Sequence, residues 1–322
     1  MRFILLFCRR IFTVNLKQKH MKIVFMGTPD FAVASLNALV EAGFDVVGVV
    51  TAADKPAGRG QKLQESAVKQ YAVSKGIPVL QPLKLKDPAF IEELRALQAD
   101  LQVVVAFRML PEIVWDMPVK GTINLHASLL PQYRGAAPIN HVIINGEKES
   151  GATTFFLKHE IDTGDVIFSE KAEIRPDETA GELHDELMHV GAGLLVKTVT
   201  AIANGDYQEQ PQPQSGELKH APKIFKEDCL IDWNQPALKI YNLIRGLSPY
   251  PTAFTKLNEK TLKVFKAELE DQDPGVAAGT FLSDGKTYLK FAAADGFIKL
   301  TDLQYEGKKR MATDEFLRGM RL

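Results

Sequence analysis

The chain has 322 residues, of which 45% are hydrophobic and 25% are charged, and its formal net charge at pH 7 is −1. These values exclude a collagen-like, low-complexity or largely disordered chain, and at roughly 150 residues per domain we expect two domains. No uninterrupted apolar run approaches the roughly 18 residues of a membrane-spanning helix, so we expect no membrane partner. Two cysteines, Cys8 and Cys229, are too few for a disulfide framework or a four-cysteine zinc site.

The first twenty residues are basic, with five Lys and Arg residues and no Asp or Glu. Their apolar stretch is too short for the core of a secretory signal peptide, and no small-residue cleavage site follows it. We interpret residues 1–20 as an extension ahead of the true start at Met21. A mitochondrial presequence and an ordered arm are the alternatives.

Residues 21–206 alternate between apolar runs and amphipathic segments, which predicts an α/β domain with a doubly wound, mostly parallel sheet. Runs 22–27 and 45–51 are rich in Val and Ile, as strands buried on both faces are. Apolar residues at helical spacing lie between them, and Gly43 ends that helix. The further predicted elements are strands 101–107 and 121–128, helices 64–75 and 88–98, an antiparallel strand pair 151–158 and 165–174, and an amphipathic helix 178–204.

Residues 207–222 are rich in Pro, Gln and Ser and have no apolar period, which predicts a linker at a domain boundary. A short helix is predicted over 237–247. Strand-like segments then follow at close spacing, separated by turn pairs such as Asp284-Gly285. This pattern predicts that residues 223–322 form a small C-terminal β-barrel (OB-like) domain.

After residue 20, basic residues are unevenly distributed along the chain. Residues 21–222 hold 18 basic and 26 acidic residues, whereas 223–322 hold 16 and 14, which fits a polyanionic partner and equally fits chance variation. A Pro- and Gly-rich stretch of the first domain carries Lys55, Arg59 and Lys62. We expect a flexible loop there, and its residues alone leave a nucleic-acid contact and a solvated loop both open.

The loop after the first predicted strand tests a nucleotide-binding function. A dinucleotide site needs three glycines spaced so that the backbone approaches a pyrophosphate, and only Gly27 is in place here. Pro29 removes an N–H donor and Phe31 adds bulk. We therefore disfavour a dehydrogenase, although the predicted fold is unaffected.

Asn124 and His126 lie near the carboxyl end of predicted strand 121–128. Alternation places them on one face, about 6–7 Å apart, at the edge where open α/β sheets form their sites. An amide donor beside an imidazole can stabilise a developing oxyanion and transfer a proton. The alternative is that both side chains satisfy backbone carbonyls at the strand end.

Asp162 lies in an acidic, glycine-containing turn between two predicted strands. A tight turn is the first interpretation, and three acids without further ligands make a weak metal site. The sharper hypothesis is that the Asp162 carboxylate orients His126. We expect no metal.

Several motifs resemble those of the methionyl-tRNA formyltransferase family, in the same order over residues 21–322. They are MKIVFMGTPDFA, DKPAGRGQKL, INLHASLLPQYRGAAPI, GATTFFL with EIDTGDV, and HAPKIFKEDCLIDW. The NLHxSLLPxYRGAAP motif with a downstream IDTGD is typical of enzymes that use 10-formyl-tetrahydrofolate. The predicted linker and C-terminal domain favour the tRNA enzyme within that group.

The resemblance implies that the chain transfers the formyl group of 10-formyl-tetrahydrofolate, as co-substrate, to methionyl initiator tRNA in translation initiation. It implies a cytoplasmic (bacterial) location, and we expect a monomer. The residues that it assigns are catalytic Asn124, His126 and Asp162, folate contacts at Ser128, Leu129, Leu130 and Pro131, and tRNA contacts around Arg59, with Lys55 and Lys62 beside it.

One departure from the family pattern concerns Arg108, which stands in a stretch that is often small and Gly-containing in the family. An arginine there is expected to change how the folate is held, so no folate contact is assigned to residues 107–109. The nearest alternative function is a formyltransferase that acts on a small amine. A non-catalytic RNA-binding protein is a second alternative, but it would not need Asn124, His126 and Asp162 together.

Overall fold

The computed structural model describes residues 21–57, 62–213 and 216–319, so the predicted extension over residues 1–20 lies outside the described part. The strands are β1 (Lys22–Gly27), β2 (Asp45–Val50), β3 (Lys55–Ala57), β4 (Lys62–Gln64), β5 (Val79–Leu80), β6 (Leu101–Val105), β7 (Thr122–His126), β8 (Arg134–Gly135), β9 (Glu149–Phe156), β10 (Val166–Glu173), β11 (His220–Ala221), β12 (Ala253–Leu257), β13 (Lys260–Glu270), β14 (Phe281–Ser283), β15 (Leu289–Ala292), β16 (Phe297–Tyr305) and β17 (Met311–Ala312). The helices are α1 (Asp30–Glu41), α2 (Ala67–Ser74), α3 (Pro88–Ala96), α4 (Glu112–Trp115), α5 (Pro138–Ile144), α6 (Ala180–Asn204), α7 (Ala237–Leu247) and α8 (Thr313–Arg318).

The first sheet has seven strands in the order β10-β9-β7-β6-β1-β2-β5. Strands β7, β6, β1, β2 and β5 pair in parallel. All five residues of β6 are buried, which explains why this strand is a continuous apolar run rather than an alternating one. The predicted doubly wound, mostly parallel sheet is confirmed.

The order of the parallel strands reverses at β1. The chain runs from β1 to β2 and β5 on one side, then returns to β6 and β7 on the other. Open sheets of this type bind ligands at the carboxyl ends of their strands near such a reversal. The last residue of β7 is His126, so the fold places this side chain at that edge.

Short elements account for most differences from the sequence prediction. The predicted strand 101–107 ends at Val105, because Ala106 adopts a left-handed backbone with φ 47°. The flexible loop predicted around Lys55 and Lys62 is in part a pair of antiparallel strands, because β3 and β4 hydrogen-bond to each other there. Helices α4, α5 and α8 have 4, 7 and 6 residues, which is too short for an apolar period to be recognised in a sequence.

Helix α6 has 25 residues and, among the described helices, is the one that is long and apolar enough to cross a membrane by length and composition. The buried core helix of a protein outside the membrane passes the same test, and 44% of the apolar window is buried. Its buried apolar residues include Leu183, Leu187, Leu194, Leu195 and Val199.

The C-terminal strands form an antiparallel sheet in the order β12-β13-β16-β15-β14, with β17 beside β16. Its longest strand, β13, has 11 residues and shifts register against β16 around Lys266. Such bulges bend a strand and increase its twist. The sheet accordingly curls into a half-barrel, in agreement with the predicted OB-like domain.

The core of this C-terminal region combines one face of α7 with the inner face of the curled sheet. Trp233 stacks on Phe291 with ring centroids 4.6 Å apart, and its indole N–H donates to Thr255 Oγ1 at 2.9 Å. The buried polar edge of the indole is thereby satisfied. Helix α7 has the bounds that the sequence predicts, because its strong apolar period and Pro236 define it locally.

The chain divides into two compact units, each built from separate stretches of sequence. Of the described residues, unit 1 takes those within 21–125, Thr154–His159 and Ala192–Gln210. Unit 2 takes those within His126–Thr153, Glu160–Gly191 and 211–319. The predicted domain boundaries at 206/207 and 222/223 stay predictions.

Gly151 in β9 is a site of close backbone approach. A Cβ atom there would lie 2.2 Å from the carbonyl oxygen of Glu170 and 2.6 Å from Leu129 Cδ2. We expect Gly151→Ala to lower the free energy of unfolding by about 1–3 kcal/mol, because the backbone of the neighbouring strand must move. The measurement is thermal or denaturant unfolding of the purified variant.

Gly193→Ala is the matched control for this prediction. Gly193 lies within α6 and a Cβ atom there would meet nothing within 4 Å, so alanine should stabilise the helix by about 0.5–1 kcal/mol. Equal unfolding midpoints for Gly151→Ala and the parent chain would contradict the close approach.

Candidate active site

Strand β7 carries two of the predicted site residues at its carboxyl end. Asn124 pairs in register with Val104 of β6 and is half-buried, and His126 is the buried last residue of the strand. Residues two apart in a strand face the same side, about 6–7 Å from one another. The strand therefore presents an amide and an imidazole on one side, as the sequence predicts.

The ring of His126 is held by a backbone carbonyl. Its Nε2 atom lies 2.9 Å from the carbonyl oxygen of Tyr133. A carbonyl only accepts hydrogen bonds, so Nε2 carries the hydrogen and donates it. In the neutral ring Nδ1 then has a free lone pair, and this atom lies 3.8 Å from Asp162 Oδ2.

Asp162 occupies a tight loop between β9 and β10 and is 9% exposed. Its backbone is left-handed with φ 56°, a conformation that Asp tolerates better than most residues. One carboxylate oxygen, Oδ2, accepts a 2.9 Å hydrogen bond from the Gly135 amide and also faces His126. The structure thus brings His126 and Asp162 together, although they lie on separate segments of the sequence.

The loop Ser128–Pro131 is fixed from two sides. Ser128 Oγ donates to the carbonyl of Gln132 at 2.7 Å. Thr153 Oγ1 in β9 donates to the Ser128 carbonyl at 2.7 Å and accepts from the Leu130 amide at 3.2 Å. Ser128 is fully buried, whereas Leu129 and Leu130 keep part of their surface exposed, so the loop offers apolar surface on a rigid backbone.

Tyr133 is anchored through its side chain as well as its carbonyl. Its hydroxyl donates to Glu147 and accepts from Asn145 Nδ2 at 3.1 Å, and Lys219 Nζ contacts the same Glu147 carboxylate. Burial and the bond to Glu147 raise the pKa of Tyr133. Burial by itself would raise the pKa of Glu147, but the bonds from Lys219 and Tyr133 outweigh it and lower that pKa.

Of the predicted tRNA contacts, Lys55 is exposed in β3 and Lys62 begins β4. Arg59, between them, lies outside the described residues. Arg108, expected to alter folate binding, donates to the backbone carbonyls of Pro82 and Leu83. In the described part of the chain, no three His, Cys, Asp or Glu residues are grouped as metal ligands.

Three residues that support this region were not assigned to the site from the sequence: Tyr133, Thr153 and Gln212. Tyr133 acts on His126 through its backbone, which no side-chain motif reveals. Thr153 is one of two adjacent threonines in β9, a weak signal. Gln212 lies in the segment interpreted as a linker.

Two protein-family models match most of this chain. The formyl transferase family model matches residues 21–199, and the model of the formyl transferase C-terminal domain matches residues 223–321. The chain belongs to the formyl transferase family. The family predicted from the sequence motifs is confirmed, whereas the individual site-residue assignments stay predictions.

Relatives of this formyl transferase cover nearly its whole length. It is 55% identical to the methionyl-tRNA formyltransferase of Bacteroides fragilis over 95% of this chain and 97% of that protein. It is 48% identical to the methionyl-tRNA formyltransferase of Porphyromonas gingivalis over 95% and 98%. An N-formyltransferase structure from Helicobacter canadensis, complexed with folinic acid and dTDP-3-aminofucose, shares the fold with a TM-score of 0.66, at 22% identity over 90% and 100%.

The Tyr133–Glu147–Lys219 network predicts a pH-dependent contribution to stability. Because folding lowers the pKa of Glu147, its ionised form stabilises the protein above its ordinary pKa of 4.5, and this contribution is lost as the pH falls through the lowered value. We expect Glu147→Gln to reduce the unfolding midpoint at pH 7, and the difference from the parent chain to shrink towards pH 4.

Glu149→Gln is the matched control, because that carboxylate is 56% exposed and contacts Lys171 at the surface. Exposed ion pairs contribute little to stability, so its midpoint should stay near the parent value at both pH values. A Glu147→Gln deficit that is the same at pH 7 and pH 4 would contradict the proposed contribution of the charge.

Proposed function

We propose that this formyl transferase transfers the formyl group of 10-formyl-tetrahydrofolate to the amino group of methionyl initiator tRNA, for translation initiation. The buried His126–Asp162 pair is the observation on which the chemistry rests, because amine acylation requires removal of a proton from the nucleophile. The identity of the acceptor rests on the full-length relatives that bear the name methionyl-tRNA formyltransferase.

His126 is proposed to receive the proton of the attacking amine at Nδ1. Nε2 is committed to the Tyr133 carbonyl, so Nδ1 is the atom that can accept in the neutral ring. Protonation at Nδ1 makes the ring cationic 3.8 Å from the Asp162 carboxylate, in surroundings where little water screens the two charges. Asp162 thereby stabilises the imidazolium, while the bond from Nε2 to the Tyr133 carbonyl keeps the ring oriented.

Asn124 is proposed to stabilise the negative charge that develops on the formyl oxygen during attack. The neutral His126 ring lacks a free N–H for this purpose, because its Nε2 hydrogen is already donated to Tyr133. The Asn124 amide offers two donors from the same face of β7, and such donors act most strongly on charge that appears in the transition state. The sequence-based expectation that His126 also stabilises the oxyanion therefore applies to its protonated form.

The loop that follows β7 is proposed to hold the folate. Ser128 fixes the backbone, while Leu129 and Leu130 present apolar surface to the pterin, with Pro131 closing the loop. The donor 10-formyl-tetrahydrofolate supplies an activated formyl group, which needs no Lewis acid to become reactive. As the amine nitrogen bonds to the formyl carbon and loses a proton, the bond from that carbon to N10 breaks, and tetrahydrofolate leaves with a proton on N10. Two structures that share the fold contain a folate, 5-N-formyl-THF in one and tetrahydrofolic acid in the other, which is compatible with this assignment.

The tRNA is proposed to contact the basic hairpin and the C-terminal sheet. Lys55 and Lys62 lie in the paired strands β3 and β4, and Arg59 stands between them in the sequence, close to the residues of the catalytic sheet, which suits the acceptor end of the tRNA. We further propose residues 21–206 as the catalytic domain, 207–222 as the connecting segment, and 223–322 as a tRNA-binding domain. A location in the bacterial cytoplasm fits the bacterial relatives, and we propose that the chain acts as a monomer.

One assay separates this function from its alternatives. Purified protein is incubated with 10-formyl-tetrahydrofolate and methionyl initiator tRNA, and formyl-methionyl-tRNA is quantified. Uncharged tRNA and amino sugars attached to a nucleotide are the comparison acceptors. Formylation of a small amine in preference to methionyl-tRNA would favour the alternative formyltransferase, and no transfer to any acceptor would contradict an enzymatic function.

Asn124→Ala and Asp162→Asn test the assigned chemistry. We expect Asn124→Ala to lower kcat by about 10²–10³-fold, because one oxyanion donor is lost. Asp162→Asn should also lower kcat, while the dissociation constant of tRNA stays nearly unchanged in both variants. Steady-state kinetics and filter binding provide the two readouts.

Asp185→Asn, at a surface aspartate with a 75% exposed side chain, is the matched control and should retain parental kinetics. Near-parental kcat in Asn124→Ala would remove Asn124 from the proposed role. A loss confined to tRNA affinity would do the same for Asp162.

Arg59→Ala tests the proposed contact with the acceptor end. Removing a phosphate contact should raise the KM for tRNA and reduce the slope of log affinity against log salt by about 1. Part of the loss should persist as lower kcat at saturating tRNA, because a contact near the reacting amine also positions it.

Arg95→Ala removes one exposed positive charge from α3, where Arg95 contacts Glu92, and serves as the matched control. Kinetics of both variants at two salt concentrations distinguish a local contact from a general field effect. Equal small losses in the two variants would argue against a direct contact by Arg59.

A further inference from the structure

The segment interpreted as a linker contains a side chain that is buried like a core residue. Gln212 is 7% exposed, although it stands in a run of Pro, Gln and Ser without apolar residues. Buried amides are costly unless their donors and acceptors are satisfied. The contacts of Gln212 therefore explain why this part of the chain is ordered.

Both ends of the Gln212 amide bind residues of the candidate site. Nε2 donates to the carbonyl oxygens of Asp162 at 2.9 Å and Gly164 at 2.7 Å. Oε1 accepts from Arg134 Nη2 at 2.6 Å and Nε at 3.1 Å. The Gln212 amide nitrogen thus donates twice to the loop of Asp162, and the amide oxygen accepts from the Arg134 side chain.

These contacts close a ring of hydrogen bonds around Asp162. The Gly135 amide donates to Asp162 Oδ2, and the neighbouring Arg134 side chain donates to Gln212. Gln212 in turn holds the Asp162 backbone, which has the unfavourable φ of 56°. A residue in such a conformation persists only where its surroundings fix it, and Gln212 supplies two of those bonds.

The far end of the same segment holds the loop that orients His126. Strand β11 pairs with β8, so that Ala221 lies opposite Gly135, and the Tyr133 amide donates to the Lys219 carbonyl at 2.6 Å. Gly135 has φ 125°, and a Cβ atom there would lie 2.4 Å from the Ala221 carbonyl oxygen. This end of the segment therefore packs directly against the backbone that follows Tyr133.

We propose that Gln212 is a positioning residue for the formyl transfer proposed above. It holds the loop of Asp162 so that the carboxylate faces His126 Nδ1, and it acts on the transfer through Asp162. The segment between the two family-matched regions is then part of the catalytic apparatus. A passive connector would need no buried amide with four polar contacts.

Two substitutions distinguish the contribution of the donor end of the Gln212 amide from that of its acceptor end. Gln212→Met has a similar length and loses every hydrogen bond of the side chain. Gln212→Glu keeps acceptors for Arg134 but places a carboxylate against two carbonyl oxygens, so it loses the donation to the Asp162 loop. Gln208→Met, at an exposed glutamine of the same polar segment, is the matched control.

We expect both Gln212 variants to lower kcat by about 10- to 100-fold, with little change in the KM for folate or tRNA, because a displaced catalytic group loses alignment rather than binding. Gln212→Met added to Asp162→Asn should cause little further loss, since the two residues act as a unit. Gln208→Met should match the parent chain.

Amide hydrogen exchange requires no substrate. It therefore tests the effect of Gln212 on the Asp162 loop independently of the proposed function. Peptides that cover residues 160–166 should exchange faster in Gln212→Met than in the parent or in Gln208→Met. Parental kcat in Gln212→Met, or a loss that multiplies fully with that of Asp162→Asn, would overturn the inference. Unchanged exchange over residues 160–166 would overturn it as well, whatever the parent protein formylates.

Discussion

The hydrogen bond from His126 Nε2 to the Tyr133 carbonyl determines which ring nitrogen faces Asp162. The arrangement of the His126 and Asp162 side chains depends on this bond. Because a carbonyl cannot donate, the neutral ring exposes its lone pair at Nδ1. That nitrogen lies 3.8 Å from Asp162 Oδ2. The proposed chemistry follows from this one assignment: Nδ1 takes a proton, Asp162 stabilises the resulting charge, and Asn124 is left to serve the oxyanion.

Two backbone positions near this bond have left-handed conformations that cost free energy, Tyr133 with φ 61° and Asp162 with φ 56°. Each is held by contacts from a distant part of the chain. The Tyr133 side chain is fixed through Glu147 and Lys219, and the Asp162 backbone is fixed through Gln212. The segment that contains Gln212 and Lys219 thus offsets local strain at both loops.

Much of the fold could be predicted because its signals are local. The continuous apolar run of β1 predicts a strand, and the apolar period of α7 predicts a helix, each from a few neighbouring residues. The sequence of β13 has the alternation of a strand that is exposed on one face. Short elements such as α5 could not be predicted, because seven residues contain too little of a helical period. For the site, the spacing of Asn124 and His126 follows from strand geometry, and Asp162 was recognised by a motif.

The sequence by itself determined the fold class, the family and the residue types available at the edge of the sheet, because apolar periodicity and motifs are properties of neighbouring positions. Only the tertiary structure decided the tautomer of His126, since the Tyr133 carbonyl reaches Nε2 through the path of the intervening loop. It also decided that Gln212 is buried at Asp162, 50 positions away. A polar residue in a Pro- and Gln-rich run gives no local signal of burial, because its partners, two backbone carbonyls and the Arg134 guanidinium, come within hydrogen-bond distance only on folding.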